Sequence, residues 1–207
     1  MAKPHKFWNR LAKFYSKQPV ADEGAYQKKL QVTRGYFRAD MEVLEFGCGT
    51  GSTAINHAPY VKHIQAIDFS SKMIEIATTK ASAAKVKNVT FQQASINDLD
   101  VSDQTFDAVM GHSILHLLDN KDDVIAKVHK LLKPGGVFIS STACIGDGMK
   151  IMKAFLPIGQ FFGVLPVLKF FTSQELENSL IHAGFKIDHQ WTPGSGDSVF
   201  IVAKKEG

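Results

Sequence analysis

The sequence predicts an α/β fold built on a doubly wound, mostly parallel sheet, and three observations predict it. Short apolar runs rich in Val, Ile and Phe alternate with longer stretches of helical periodicity. A glycine-rich turn, Gly47-Cys48-Gly49-Thr50-Gly51, leaves the first of those runs. An acid, Asp68, ends the next run, where such a sheet brings it beside the glycine turn.

Taken in order, the first forty residues carry two helix-like segments and read as a helical cap. Met41 to Phe46, His63 to Asp68, Val89 to Gln93, Phe106 to Met110 and Val137 to Thr142 read as strands. Ser70 to Ala84 reads as a helix capped by Ser70, with Met73, Ile74 and Ala77 at helical spacing. Asp122 to Leu132 reads as another, stopped by Lys133-Pro134-Gly135-Gly136. A last helix, Ser173 to Ala183, ends at Gly184 and is followed by strands at Phe185 to Trp191 and Ser198 to Ala203. The Gly-rich connection between those strands is short and suits an antiparallel pair. The count is seven strands, with an antiparallel C-terminal strand in an otherwise parallel sheet.

At 207 residues the chain suits one domain, and it can bury a core without disulfides or a structural metal. Lys and Arg number 24 and Asp and Glu 20, interspersed along the chain, so the net charge of +4 demands no nucleic-acid partner. Cys48 and Cys144 stand far apart, outside any CxxC or zinc-ligand spacing, and read as reduced thiols of a cytoplasmic protein. The basic N-terminus runs into Phe7-Trp8-Asn9-Arg10-Leu11-Ala12-Lys13, too interrupted by charge for a secretory apolar stretch.

Glycines between a buried strand and a helix allow a tight turn and let the backbone approach a ligand closely. With Asp68 placed to accept from both hydroxyls of a ribose, strand, turn, helix, strand and acid together point to an adenosine-type cofactor. A dinucleotide fingerprint needs its third small residue at Ser52, whereas the extra glycine here is Gly51, one position early. Glu45-Phe46-Gly47-Cys48-Gly49-Thr50-Gly51 instead resembles the E-x-G-x-G-x-G loop of class I S-adenosylmethionine-dependent methyltransferases, which have a Rossmann-like sheet. Ile67-Asp68-Phe69-Ser70 with Met73 resembles the family's ribose-binding strand end and following helix. Ala94-Ser95-Ile96-Asn97-Asp98-Leu99 resembles its adenine segment, with Ser95 where Asp often stands. Phe106-Asp107-Ala108-Val109-Met110, Leu115-His116, Leu132-Lys133-Pro134-Gly135-Gly136 and Phe171-Thr172 through Ala183-Gly184-Phe185 extend the likeness over residues 41 to 203. The closest flavour is the small-molecule type typified by ubiquinone and menaquinone biosynthesis enzymes.

The resemblance implies a residue-by-residue site for S-adenosyl-L-methionine, with S-adenosyl-L-homocysteine as product. Gly47 and Gly49 leave room for the methionine portion, and Glu45, Phe46 and Cys48 complete the loop. Glu45 reads as a carboxylate orienting the loop, and Cys48 as a small packing residue rather than a nucleophile. Asp68 holds the ribose, Phe69 and Met73 give apolar contact, Ile96 packs on adenine and Ser95 meets its exocyclic amine. Gly111 and His112 follow the fourth strand, where cofactor and acceptor meet, and Tyr15 resembles an aromatic N-terminal lid.

Methyl transfer from a sulfonium needs alignment and exclusion of water, and a base only where the acceptor loses a proton. His112 and His116 are the candidate bases, because imidazole titrates near working pH. They would share a face if that stretch were helical. For His116 the competing reading is a packing and hydrogen-bonding element. Met110-Gly111-His112-Ser113 lacks the Asn/Asp-Pro-Pro-aromatic tetrad of nucleobase amino methylation, and Cys144 follows Ala143 instead of proline. Nucleic acid is therefore not the expected acceptor.

The chain holds 15 Phe against 4 Tyr and 2 Trp, and many of them lie in IMKAFLPIGQFFGVLPVLKFF, residues 151 to 171. Lys153, Lys169, Pro157 and Pro166 exclude a membrane span. The readings left are a buried helical hairpin, or a lid over an apolar acceptor pocket that touches a membrane surface or pairs two subunits. The expected organisation over residues 1–207 is thus a cap (1–40), a cofactor-binding half (41–145), an apolar lid (146–171) and a C-terminal helix with a strand pair (172–207). The expected function is methyl transfer to a small apolar or aromatic molecule. The alternatives are a nicotinamide-dependent oxidoreductase, which the loop spacing disfavours, and a cofactor-binding module without turnover.

Overall fold

The computed structural model describes residues 4–144, 168–194 and 198–207. The lid reading for residues 146–171 lies almost wholly outside the described residues. Helices α1 (Pro4–Tyr15) and α2 (Glu23–Arg34) precede strand β1 (Glu42–Phe46). There follow α3 (Ser52–His57), β2 (His63–Asp68), α4 (Ser71–Ala83), β3 (Val89–Gln93) and β4 (Phe106–His112). The chain continues through α5 (Lys121–Leu131), β5 (Leu132–Ala143), α6 (Ser173–His182), β6 (Phe185–Trp191) and β7 (Ser198–Lys205). No helix among the described residues is long and apolar enough to cross a membrane.

The strands form one sheet in the order β3-β2-β1-β4-β5-β7-β6. The ladders from β3 through β5 are parallel, and β7 runs antiparallel to both β5 and β6. The central strands are buried on both faces, so they read as continuous apolar runs rather than alternating ones. Strand order reverses between β1 and β4, and the crevice at that reversal is where sheets of this type bind ligands.

Each helix shows why its residues chose it. In α4 the Ser70 hydroxyl accepts from the Met73 amide at 3.2 Å, and Met73, Ala77 and Ala81 repeat every fourth residue as its buried stripe. In α6 Thr172 and Glu175 close a reciprocal capping box while Leu176 and Leu180 face the core. Val124, Ile125, Val128 and Leu131 bury α5 against one sheet face. On the other face Val43, Ile64, Ala108, Met110 and Ile139 pack beneath α3, with Val32 of α2 against them.

Three elements run longer than the sequence suggests, β7 by the two residues that take it to Lys205. β4 extends through Gly111 and His112, which register with Ser140 and Ser141 of β5. β5 begins directly at the end of α5, because Leu132 pairs with Phe106 before Lys133-Pro134-Gly135-Gly136 bulges out and pairing resumes at Val137. The Lys133 ammonium meets Asp107 Oδ2 at 2.8 Å across that bulge.

Candidate active site

β1 delivers its chain into the glycine turn at the strand-order reversal. Gly47, Gly49 and Gly51 all have positive φ, at 66°, 53° and 75°. Gly51 also sits where a Cβ would lie 2.7 Å from the Phe91 ring and 2.8 Å from the Ala77 methyl, so the loop packs onto α4 and β3 only without a side chain. This contact explains the glycine one position earlier than a dinucleotide fingerprint requires. At Gly49, by contrast, a Cβ would meet nothing within 4 Å, so the loop there borders open space.

Asp68 closes the turn from the side. Its Oδ2 accepts from the Gly49 amide at 3.0 Å and its Oδ1 from the Ser70 amide at 2.8 Å. Burial raises its pKa, and those two backbone donors oppose the rise. One carboxylate therefore fixes both the turn and the start of α4, and each oxygen keeps a second acceptor direction.

The cleft at this point is lined by Gly47, Gly49, Asp68, Phe69, Met73 and His112, with Ser113, Ile114 and Leu117 behind them and Trp8 and Tyr15 of α1 above. Six residues of the sequence-derived set, apart from Tyr15, thus come together here. Tyr15 is about half exposed, and its ring meets Trp8 edge-on at 6.4 Å. Trp8, Ser113, Ile114 and Leu117 were not foreseen. Asn9 was missed as well: its Oδ1 accepts from the Ser70 hydroxyl at 2.7 Å and from the Lys72 amide at 3.2 Å, which fastens α1 to the start of α4.

The other sequence-derived residues stand elsewhere. The Phe46 ring is buried and stacks on Phe138 at 6.2 Å, so its side chain belongs to the core and not to the cleft. Gly111 lies in the β4 ladder, where a Cβ would come 2.5 Å from Phe46 Cζ; its smallness serves that ring. Cys48 is a buried free thiol, pushed well up by burial and by the carboxyls of Glu45 and Asp68, which suits packing and not nucleophilic attack. Ile96 is buried in the core, and Ser95 Oγ accepts from the Asn97 amide at 3.2 Å. Their segment adjoins the site, since the Ala94 amide donates to the Asp68 carbonyl at 3.1 Å.

His112 and His116 do not share a helix. β4 continues to His112, Ser113 then turns the chain at φ 54°, and His116 lies in a short 3-10 turn, Leu115–Leu117. By strand alternation His112 points to the face of Ala108 and Met110. The His116 ring instead lies 3.0 Å from Thr142 Oγ1, a side chain on the opposite face of the sheet. Burial, with the Lys29 charge adding to it, lowers the His112 pKa to about 4, so the ring is neutral at pH 7.

Glu45 lies beneath the loop, 2 % exposed, with the Ala54 amide as a hydrogen-bonding neighbour and Oε2 without a partner. Burial raises its pKa to about 8, and at pH 7 it is mostly the neutral acid. His57, also fully buried, has no partner on either ring nitrogen and is pushed down to about 3 by burial, with His112 and Arg34 adding to it.

Residues 37–182 match the model of a methyltransferase domain. The chain belongs to the methyltransferase domain family. It is 30% identical over 132 residues to the uncharacterized methyltransferase YcgJ of Bacillus subtilis, covering 64% of this chain and 52% of that protein. Over 136 residues it is 29% identical to a demethylmenaquinone methyltransferase of Leptospira interrogans, covering 64% and 54%. The chain spans about half the length of these curated relatives. Among solved structures, phosphoethanolamine N-methyltransferase 2 of Haemonchus contortus, bound to phosphomonomethylethanolamine and S-adenosylhomocysteine, superposes with TM-score 0.80 at 16% identity, covering all of this chain and 61% of that one. At that identity the likeness concerns the fold, which is the class I S-adenosylmethionine-dependent methyltransferase fold.

Proposed function

We propose that this chain transfers the methyl group of S-adenosylmethionine to a small, apolar or aromatic acceptor. The observation that carries the reading is the cleft in which Gly47, Gly49 and Asp68 of the β1 and β2 ends face His112 at the end of β4. The bound sulfonium supplies an activated methyl; as the acceptor's lone pair bonds to its carbon, the carbon–sulfur pair stays on sulfur. The open side of Gly49 gives the amino-acid portion room, and Asp68 accepts from ribose hydroxyls with lone pairs its backbone donors leave free. Phe69 and Met73 form an apolar wall, and Trp8 and Tyr15 shield the cleft from water. Neutral His112 takes the proton wherever the acceptor must lose one.

The family match supports a methyltransferase, and nothing in it supports a nicotinamide oxidoreductase. The demethylmenaquinone methyltransferase relative supports a small-molecule acceptor. On this reading residues 1–207 make up one methyltransferase domain, and its two buried cysteines, which form no disulfide among the described residues, suit a reducing cytoplasm. Calorimetric titration with S-adenosylhomocysteine and with NAD tests the proposal, followed by turnover against an acceptor panel. Binding of the first ligand alone, with methyl transfer to a panel member, is expected. Tight NAD binding alone would overturn it, and cofactor binding without any turnover would favour a non-catalytic module.

A further inference from the structure

Charges of both signs mix along most of the chain, but they separate at its start. Residues 1–21 carry five Lys and Arg and not one Asp or Glu, so the net charge of +4 comes from this stretch. Helix α1 sorts these residues onto distinct sides. Ala12 is 1 % exposed, and Asn9 fastens that side to α4 through Ser70. Trp8 and Tyr15, seven positions apart, turn to the cleft. Phe7, Leu11 and Phe14 form a third row at i, i+4 and i+7, of which Phe14 is 64 % exposed. Lys6, Arg10 and Lys13 repeat that spacing one position earlier, and all three are exposed. The helical turn runs on past Tyr15, because the Ser16 and Lys17 amides donate to the Ala12 and Phe14 carbonyls at 2.9 and 3.1 Å. Exposed Lys17 thereby prolongs the basic row.

Apolar exposure gathers at the same place. Phe14, Tyr15 and Val20 are three of the five large apolar side chains most exposed among the described residues. Scattered apolar side chains on a surface are ordinary, whereas a cluster beside the mouth of a cleft marks a contact surface. Acids on the neighbouring helices are engaged elsewhere: Glu75 pairs with Lys72 at 2.6 Å, and Asp22 accepts from the Ala25 amide at 2.8 Å as the cap of α2. Lys6, Lys13 and Lys17 make no ion pair among the described residues.

We infer that α1 and the turn after it form a docking surface for an anionic lipid bilayer. The helix lies in the plane of the membrane, with Phe14 and Val20 entering the headgroup layer and Lys6, Lys13 and Lys17 on the acidic lipids. Such a helix needs an apolar row flanked by cations, and lysine stems are long enough to cover the boundary between them. A single nucleic-acid strand would instead need a groove that tracks its backbone, and this surface is the outside of a helix. Trp8 and Tyr15 of the same helix roof the cleft, so docking brings the cleft to the lipid surface. The docking surface stands apart from the methyltransferase reading, and either can fail without the other.

Co-sedimentation of the full chain with phosphatidylcholine vesicles, with and without phosphatidylglycerol, tests the surface. Binding is expected only where phosphatidylglycerol is present, and added salt should release it. Combining Lys6→Gln, Lys13→Gln and Lys17→Gln should weaken it about a hundredfold, at about fivefold per lysine. Phe14→Ser with Val20→Ser should weaken it about tenfold or more. Thermal midpoints equal to the wild type are the check on folding, and Phe14→Trp, which keeps the apolar bulk, gives a second readout. Its emission should gain a blue-shifted component over the wild type on the anionic vesicles alone. No preference for anionic vesicles, undiminished binding by the lysine variant, no emission change in Phe14→Trp, or preference for a single-stranded oligonucleotide overturns the inference. Dimerisation that Phe14→Ser abolishes, without vesicle binding, would assign the surface to a second copy instead. Failure of the wild type to bind S-adenosylhomocysteine would bring down the methyltransferase reading alone.

Discussion

The Ser70 hydroxyl donates to Asn9 Oδ1 at 2.7 Å while accepting from the Met73 amide, so a single side chain both caps α4 and holds α1. The Asn9 carboxamide also takes the Lys72 amide, one of the donors left free at a helix start. Because Trp8 and Tyr15 flank this bond in sequence, the roof of the cleft depends on it.

Asn9→Ala is therefore expected to cost about 1 kcal/mol of stability through the lost hydrogen bonds. It should also weaken S-adenosylhomocysteine binding as α1 loosens. Thermal melting and calorimetry read the two effects; unchanged ligand affinity would show that α1 does not cover the ligand.

Asp68→Ala removes the acceptor for the Gly49 and Ser70 amides together with the proposed ribose contact. Cofactor affinity should fall by on the order of 2 kcal/mol. Asp68→Asn, which retains one acceptor oxygen, should fall less. Full affinity in the alanine variant would place the ribose elsewhere.

Gly111→Ala forces a methyl into the Phe46 ring and should destabilise by about 1–3 kcal/mol. Its folded fraction should bind S-adenosylhomocysteine normally, because the contact is made within the core. A binding defect at full stability would restore Gly111 to the cofactor site.

The buried histidines make stability acid-sensitive. His57 and His112 have native pKa values of about 3 and 4, below the ordinary 6.5. Their contribution is complete above pH 6.5 and is lost as pH falls toward those native values, with a slope of up to about 1.4 kcal/mol per pH unit for each ring. His57→Leu should flatten the acid limb of a denaturation series from pH 7 to 4; an unaltered slope would show that His57 is not held neutral.

Glu45 acts with the opposite sign. Its native pKa of about 8 lies above the ordinary 4.5, so stability is greatest below pH 4.5 and declines as pH rises through 8. Glu45→Gln mimics the protonated acid and should match the wild type near pH 4 while surpassing it from neutrality to pH 9 in urea denaturation. A variant no more stable than the wild type at pH 7 relative to pH 4 would mean that the carboxyl is not held neutral in the native state.

The parts of the site encoded locally were legible in the sequence. Glycine spacing and the acid at the β2 end determine turn geometry within a few residues, so the pattern singled out Gly47, Gly49 and Asp68, and the family resemblance added Phe69 and Met73, which line the same cleft. What depends on docking was not. Trp8 and Asn9 matter because α1 packs on α4, a contact across about sixty residues of chain that no local periodicity records. The helical pairing of His112 with His116 failed because β4 runs on: pairing with Ser140 and Ser141 extends the strand, and a positive-φ Ser113 then reverses the second ring. Phe46 and Gly111 looked like site residues from their neighbours in sequence, yet strand alternation turns the Phe46 ring into the opposite layer.

The strand order also has an evolutionary corollary. β3-β2-β1 carries the donor loop and its acid, while β4-β5-β7-β6 carries His112 and the C-terminal pair. The two blocks join along a seam of only three registered pairs, Val43 with Ala108, Leu44 with Val109 and Glu45 with Met110. A crossover between Gln93 and Phe106 would leave every ladder except that seam within one parent. Chimeras with relatives joined there offer a route to grafting a new acceptor preference onto an unaltered donor half.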